Sequence, residues 1–218
     1  MSWHSKSPGG VPPRHKEHWK SDALFCIPTR FVFHPTGMQK VYADEVSMTR
    51  LHRLPTWADK KRVYAVVETP RGNRAKLAYD PKLDAFNLSK PLFAGLTYPY
   101  DWGFIPSTKA QDGDPLDALI IHEAATYPGV VLSCKPIGVI EIVQTKAGNK
   151  ERNDRIFVVP DRSPFEGDLQ DIRHLPARAI EELERFFEAT NALEKKELKF
   201  NGWHGPAKAI KIIKELSL

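Results

Sequence analysis

The chain has 218 residues, a formal net charge of +5, 41% apolar residues and 27% charged residues, a composition typical of a globular domain. No run approaches the ~20 consecutive apolar residues that cross a bilayer, and no apolar core of a signal peptide is present. Two cysteines, Cys26 and Cys134, match no disulfide framework or zinc motif, so we expect idle thiols in a reducing compartment, the cytoplasm.

Residues 1–61 are predicted to form an N-terminal extension. Residues 1–20 contain few apolar side chains and a cluster of Pro and Gly at positions 8–13, which predicts disorder. The stretch that follows, to residue 61, has aromatic residues but weak periodicity, so we expect irregular structure packed on the main domain. Eleven Lys/Arg residues against five Asp/Glu residues in positions 1–66 are scattered without interleaved aromatics, which argues against a nucleic-acid partner.

Short apolar runs predict a β-rich domain over residues 62–218. Residues 63–69 are β-branched and aromatic and stop at Pro70, which is typical of a strand. Similar runs follow at residues 118–121, 130–132, 137–143 and 156–159. Turn signals such as Pro128-Gly129 separate them, and many short strands with polar turns favour a closed barrel or a sandwich.

Two helices are predicted late in the chain. The first, residues 176–189, places three apolar side chains on one face: Ile180, Leu183 and Phe187. The second opens at Gly205-Pro206, because Pro is well tolerated in a first helical turn. Its inward residues are predicted to be Ile210, Ile213 and Leu216. The expected order is a β-rich body followed by two helices.

Three carboxylates, Asp112, Asp114 and Asp117, lie within six residues. Such close like charges are costly unless a cation or solvent offsets them. Gly113 permits a tight backbone and Pro115 stiffens the turn before the next predicted strand. Acids at a strand entrance can hold hard divalent cations, and two such ions can clamp a phosphoryl group and generate a hydroxide. The plainer alternative is a solvated acidic turn.

The run Asp112-Gly113-Asp114-Pro115-Leu116-Asp117 resembles the signature of the family I soluble inorganic pyrophosphatases. The preceding run, residues 98–106, resembles the segment before that signature. Further similar pieces lie at residues 128–129, 135–140, 158–160, 186–188 and 202–203. The resemblance covers residues 62–216, and residues 1–61 have no recognised counterpart.

The resemblance implies an α+β, mainly β fold: a distorted five-stranded barrel of the OB type with flanking C-terminal helices. It also implies hydrolysis of pyrophosphate to two phosphates, dependent on Mg²⁺, with Mn²⁺ or Zn²⁺ as substitutes. The expected assembly is a homo-oligomer such as a hexamer, without a membrane partner.

The resemblance also assigns roles to residues. Asp112 and Asp117 match carboxylates that bind the activating metals, and Asp114 matches the carboxylate of the metal site that orients or deprotonates the attacking water. Asp154 lies one residue from another family acid and is a candidate metal ligand, with Glu151 a weaker one. The residues expected to contact substrate or line its site are Glu68, Lys76, Lys90, Tyr98 and Arg155, the last in the place of a lysine.

Several positions depart from the family pattern. Ala78 replaces an expected glutamate, Trp102 an expected tyrosine and Asn153 an expected aspartate. A Tyr-Lys pair that clamps phosphate is replaced by Thr190 and Asn191, with Lys195, Lys196 and Lys199 near enough in sequence to substitute. Two alternatives therefore stay open: a hydrolase of another phosphoanhydride, and a weakly catalytic pyrophosphatase-like binding module.

Overall fold

The computed structural model describes residues 50–124, 126–192 and 194–218, apart from the side chains of residues 165 and 166. The predicted disorder of residues 1–20 and the thiol of Cys26 lie outside the described residues. Cys134 is a buried free thiol. The predicted extension is described only from residue 50 onward.

Within the described ranges the chain forms nine strands and three α-helices. The strands are β1 (Val63–Thr69), β2 (Ala75–Asp80), β3 (Ala85–Pro91), β4 (Asp101–Ile105), β5 (Leu116–Ile120), β6 (Val131–Lys146), β7 (Asn149–Arg152), β8 (Arg155–Pro160) and β9 (Glu197–His204). The helices are α1 (Phe165–Asp168), α2 (Ala177–Ala192) and α3 (Pro206–Leu216). Short 3-10 helices lie at Leu51–Arg53 and Ile172–His174.

Five strands form a closed ring in the order β1-β4-β5-β8-β6, and β6 pairs back with β1. The β5–β8 pair is parallel and the other four contacts are antiparallel. β7 and β9 extend the sheet from β6, while β2 and β3 form a separate hairpin. Register shifts in β1 and β6 make the ring irregular. The predicted distorted five-stranded ring with C-terminal helices is confirmed.

The ring strands are buried on both faces. In β8, Ile156 and Val158 join an apolar cluster that includes residues of α3, whereas Phe157 and Val159 join a second cluster that includes residues of α2. Successive side chains of a strand point to opposite faces. Because a helix covers each face, these strands need continuous apolar runs, and such runs made them recognisable in the sequence.

Several elements differ from the prediction, and β2, β3, β4 and β7 have no counterpart among the predicted strands. β6 joins the runs predicted at 130–132 and 137–143 into a single strand. Its register shifts between Pro136 and Gly138, and such a bulge is where a strand tolerates proline. β9 lies between α2 and α3, so a strand separates the two late helices. In α3, Ile212 is buried, while the predicted Ile210 is only half-buried.

Residues 50–57 pack against the ring. The Thr56 hydroxyl lies 3.0 Å from the backbone oxygens of both Pro106 and Ser107, to which it donates. The Ser107 amide donates to the His52 carbonyl at 2.9 Å. Arg50 donates to the Pro81 carbonyl at 2.8 Å, in the turn between β2 and β3. This segment therefore connects two loops that flank the site described below.

Gly103 marks the closest approach of β4 to β1. A Cβ atom at this position would lie 1.8 Å from the backbone oxygen of Val66. Only backbone movement could relieve that overlap, so Gly103→Ala is expected to destabilise the fold by at least about 3 kcal/mol in urea unfolding. Gly167→Ala is the control, because nothing lies within 4 Å of a Cβ atom added at that position. Its effect on stability should stay within about 0.5 kcal/mol. Equal effects of the two substitutions would contradict this packing.

Candidate active site

The acid-rich turn between β4 and β5 is closed by its own backbone. The Ala110 amide donates to the Asp114 carbonyl at 2.8 Å, and the Gly113 amide donates to the Ala110 carbonyl at 3.1 Å. Gly113 has φ +90°, a conformation that favours glycine. The Asp112 carboxylate accepts from the Asp114 amide at 3.2 Å. The tight turn thus fixes the spacing of the acids before Asp117 enters β5.

A cavity of about 530 Å³ brings together residues that are distant in the sequence. Glu68 comes from the end of β1, Lys76 from β2, Asp114 from the turn and Asp117 from β5. The same cavity is also lined by two aromatic residues and a histidine: Tyr79, Phe104 and His52. The structure therefore joins four of the predicted site residues in one space.

The acids of this site carry negative charge that the protein neutralises only in part. Burial raises the pKa of Glu68 to about 7, and the charges of Asp117 and Asp114 add to that rise, although the Tyr79 amide and Lys76 oppose it. Burial also raises the pKa of Asp112, with further contributions from Asp117, Asp114 and Glu151. A divalent cation would relieve this repulsion, and carboxylate oxygens are the ligands that hard cations prefer.

The carboxylates differ in what holds them. Asp117 forms an ion pair with the buried guanidinium of Arg155 at 2.6 Å, whereas in the described part of the chain no protein donor binds the Asp114 carboxylate. Among the same residues no three His, Cys, Asp or Glu side chains form a complete set of metal ligands. The acids fit a divalent cation by donor type and charge rather than as a preassembled cage.

Arg155 is fixed from several sides. Its Nη1 donates to the Asn153 carbonyl at 2.8 Å, and its guanidinium carbon lies 5.0 Å from the centroid of the Trp102 ring. Lys76 approaches the same ring, with Nζ 5.5 Å from the centroid. Trp102 thus contacts two cations of the site, a favourable arrangement for an aromatic face.

Tyr98 borders the acids from the helical side. Its ring is buried and packs edge-on against Phe186, with centroids 5.1 Å apart. Burial raises the pKa of Tyr98, and the charges of Asp117 and Glu68 raise it further. The phenol therefore stays protonated at neutral pH, so it is a hydrogen-bond donor beside the acid cavity.

Lys90 stands opposite Lys76 in the β2–β3 hairpin, but its ammonium group contacts the end of α2. It donates to the Thr190 carbonyl at 2.9 Å and forms an ion pair with Glu194. Burial lowers the pKa of Lys90 despite the presence of Glu194. The structure thus ties this predicted phosphate ligand to a carboxylate that the sequence analysis did not single out.

The structure does not bring Asp154 together with the other predicted acids. One of its oxygens accepts from the Ile142 amide at 3.1 Å, and the other lies 2.6 Å from Arg152 in an ion pair. Asp154 lines a different, small cavity with Glu215 and residues of the α3 end. Both oxygens of the Asp154 carboxylate therefore already have a protein donor.

Thr190 and Asn191 occupy the positions of the expected phosphate clamp, and both side chains are turned back onto α2. They donate to the Phe187 carbonyl at 3.0 Å and 2.8 Å, and both residues are buried. Neither therefore replaces the lost clamp.

A second cavity, of about 690 Å³, was not predicted as a unit. It lies along the β6–β7 hairpin, and its charged and amide-bearing residues are Gln111, Gln144, Lys146, Asn149, Lys150, Glu151 and Lys196. Glu151 is near enough to Asp112 to raise its pKa, so this cavity adjoins the acid cluster. His52 of the first cavity was also missed, because no local pattern shows that Ser107 holds its backbone.

Comparison with known proteins agrees with this geometry. A family described as "Inorganic pyrophosphatase" matches residues 65–217. The inorganic pyrophosphatase of Picrophilus torridus is 34% identical over 172 residues, covering 78% of this chain and 95% of that protein. The one of Synechocystis is 32% identical over 165 residues, covering 76% of this chain and 95% of that protein.

Solved structures give the same result. The crystal structure of an inorganic pyrophosphatase from Thermus thermophilus matches with a TM-score of 0.70 and 34% identity, covering 77% of this chain and 96% of that chain. The crystal structure of one from Neisseria gonorrhoeae matches with a TM-score of 0.67 and 32% identity, covering 76% of this chain and 95% of that chain. Among the described residues no helix is long and apolar enough to cross a membrane.

The buried carboxyl of Glu68 makes a pH-dependent contribution to stability. Because its pKa rises from 4.5 to about 7 on folding, the folded chain holds a proton that the unfolded chain releases between those values. This contribution is complete below about pH 4.5 and is lost as the pH rises through 7. Glu68→Gln should therefore stabilise the metal-free protein at about pH 8 by roughly 1–3 kcal/mol, and much less at about pH 4.

Urea unfolding in the presence of a chelator, repeated across that pH range, measures this effect. Glu197→Gln, an exposed acid on β9, is the control and should keep the pH profile of the unmodified chain. A Glu68→Gln variant with that same profile would show that the buried carboxyl is not protonated on folding.

Proposed function

The chain belongs to the inorganic pyrophosphatase family, and from this membership we infer that it is an inorganic diphosphatase, which hydrolyses pyrophosphate to two phosphates. The observation that carries the assignment to a site is the cavity that joins Glu68, Lys76, Asp114 and Asp117. A phosphoryl-transfer site needs acids for metal and water, together with cations for the phosphates.

We propose that Asp112, Asp114 and Asp117 hold the divalent metal on which the reaction depends, with Mg²⁺ as the natural ion and Mn²⁺ or Zn²⁺ as substitutes. When bound, such an ion neutralises phosphate charge and lowers the pKa of a coordinated water. The raised pKa of Asp112 is consistent with this assignment, because it arises first from burial and then from the charges of Asp117, Asp114 and Glu151.

Asp114 is the general base of the proposed reaction. Its exposed carboxylate is held by no protein donor in the described chain, while that of Asp117 is paired with Arg155. A free carboxylate at a fixed turn can orient a water and accept its proton as the water oxygen attacks phosphorus. The bond from that phosphorus to the bridging oxygen then breaks, and the bridging oxygen leaves with the second phosphate.

Lys76, Lys90, Arg155 and Tyr98 are proposed to face the phosphates. Their role is to offset the charge of pyrophosphate and of the acids, since charge-assisted hydrogen bonds to phosphate are the strong ones. The approach of both Lys76 and Arg155 to the Trp102 ring supports this role, because it brings two cations close together beside the acids. Glu68 stands at the mouth of the acid cavity and limits its negative charge when it is protonated.

The contacts of Asp154 favour a supporting role over metal binding, because its carboxylate joins Arg152 to the backbone of β6. We also propose that residues 62–218 are the catalytic domain, with residues 1–61 as an extension, and that the chain assembles as a homo-oligomer. A cytoplasmic location is consistent with the free thiol of Cys134.

Replacement of the proposed base tests the function. With Mg²⁺ present, the unmodified chain should release phosphate from pyrophosphate, and Asp114→Asn should lower kcat by about 10²–10⁴-fold, the range typical for loss of a general base. Asp168→Asn, an exposed acid of α1, should retain full activity.

Nucleoside diphosphates assayed beside pyrophosphate would reveal a different phosphoanhydride preference. The assignment is wrong if the unmodified chain releases no phosphate from pyrophosphate with Mg²⁺, Mn²⁺ or Zn²⁺. Undiminished activity of Asp114→Asn would instead remove this residue from the role of base.

A further inference from the structure

The turn that ends α2 directs Lys196 back toward the helix. Lys195 has a left-handed backbone, with φ +54°, although it is not glycine. Its amide donates to the Ala192 carbonyl at 3.1 Å, and the Lys196 amide donates to the Asn191 carbonyl at 3.3 Å. This is the hydrogen-bond pattern of a Schellman cap, which normally has glycine at its left-handed position. A lysine there is disfavoured, because its Cβ atom crowds the backbone.

Glu194 lies inside this turn and forms ion pairs with two lysines, Lys90 and Lys196. One of its carboxylate oxygens pairs with Lys90 of β3, and the other lies 2.9 Å from the ammonium group of Lys196. Burial opposes ionisation of Glu194, but the hydrogen bonds and charges of the two lysines outweigh it and lower the pKa to about 2. The three side chains are between 20% and 31% exposed, so solvent weakens the pairing without abolishing it.

This Lys90-Glu194-Lys196 cluster lines the second cavity through Lys196 and lies next to the cavity of the acids through Lys90. Lys90 is the cross-strand partner of Lys76, which lines the cavity of the acids. Lys196 lines the second cavity, whose Glu151 is near enough to Asp112 to raise its pKa. The charge of Glu194 also reaches the Tyr98 phenol. The cluster is therefore part of the surroundings of the acid site rather than of a distant surface.

The second cavity has the charge of an anion site. Lys146, Lys150 and Lys196 line it against a single acid, Glu151. Amide groups of Gln111, Gln144 and Asn149 complete its polar lining. The lining residues therefore carry three positive charges against one negative charge, a balance that attracts an anion.

We propose that Lys196 is a substrate-binding residue of the diphosphatase site and that Glu194 is a positioning residue, which holds Lys196 and Lys90 for contact with a phosphate group. The inference rests on the proposed function. Lys196 supplies from the turn after α2 a cation that Thr190 and Asn191 do not supply from the helix. An ammonium group has three donors, so pairing with Glu194 leaves Lys196 others for phosphate oxygens.

The physical benefit of Glu194 is preorganisation. A free lysine side chain loses rotamer entropy when it is fixed on a ligand. A carboxylate that already restrains the ammonium group removes part of that cost before substrate arrives. A purely structural ion cluster would predict a loss of stability on mutation, with no change in substrate affinity.

Lys196→Ala tests the binding role. Loss of one charge-assisted contact to phosphate should raise KM for pyrophosphate by about 10–100-fold, with little change in kcat, because the contact exists before and during the reaction. Lys195→Ala is the matched control: it removes an exposed charge from the same turn and should leave KM unchanged. Lys196→Arg, which keeps the charge, should recover most of the affinity.

Glu194→Gln tests the positioning role. It should also raise KM, and the double variant with Lys196→Ala should be no worse than Lys196→Ala alone, because the two residues act as a unit. Glu188→Gln, an acid on the exposed side of α2, should have no effect. Thermal unfolding of each variant verifies that it folds.

Binding of methylenediphosphonate with Mg²⁺, measured by calorimetry on the full chain, separates this inference from the proposed function. If the unmodified chain binds this analogue but does not hydrolyse pyrophosphate, the function fails, while weaker binding by Lys196→Ala still supports the inference. Unchanged KM and analogue affinity in Lys196→Ala, absence of analogue binding by the unmodified chain, or a lower KM in Glu194→Gln would overturn it.

Discussion

Repulsion among closely spaced carboxylates is the constraint around which the rest of the site is arranged. Asp112, Asp114 and Asp117 share a short turn and strand entrance, and Glu68 faces them from a buried position. In a partly buried space such charges are costly. The protein offsets part of this charge, because Arg155 forms an ion pair with Asp117 and Lys76 lines the same cavity. On the proposed function, the negative charge that remains unneutralised is what a metal ion and its phosphate complex would offset.

The ring of strands makes this arrangement rigid enough to persist. Glu68, Asp117 and Arg155 project from β1, β5 and β8, whose apolar residues are packed under α2 on one face and α3 on the other. Charges that repel would move apart on mobile loops. Here the apolar clusters fix their backbones, so hydrophobic burial, which favours the fold as a whole, holds together groups that oppose each other electrostatically.

The sequence was informative where the residues of a site or of a buried strand lie close together along the chain. The acid triplet lies within six residues, and doubly buried strands have continuous apolar runs, so the family and the ring were both predictable. Glu194 gave no such signal, because its ion pair with Lys90 joins residues about a hundred positions apart in the sequence. β9 was missed because only alternate residues, such as Leu198 and Phe200, pack against a core cluster. The ion pair of Asp154 with Arg152 could not be predicted either, and the assignment of Asp154 as a metal ligand stays a prediction.

Two of the replacements in this chain remove carboxylates, whereas Asn191, in the place of a lysine, removes a cation. Ala78 lines the acid cavity where the family resemblance expects a glutamate, and Asn153, in the place of an aspartate, accepts from Arg155 through its amide oxygen. Carboxylates are thus fewer, while Lys146, Lys150 and Lys196 add cations along the second cavity. On the proposed function, a site with fewer carboxylates holds a metal ion less strongly and leaves more of the pyrophosphate charge for protein side chains to neutralise. The lysines that line the second cavity are placed to take up that share, which is the physical reason for proposing Lys196 as a substrate ligand.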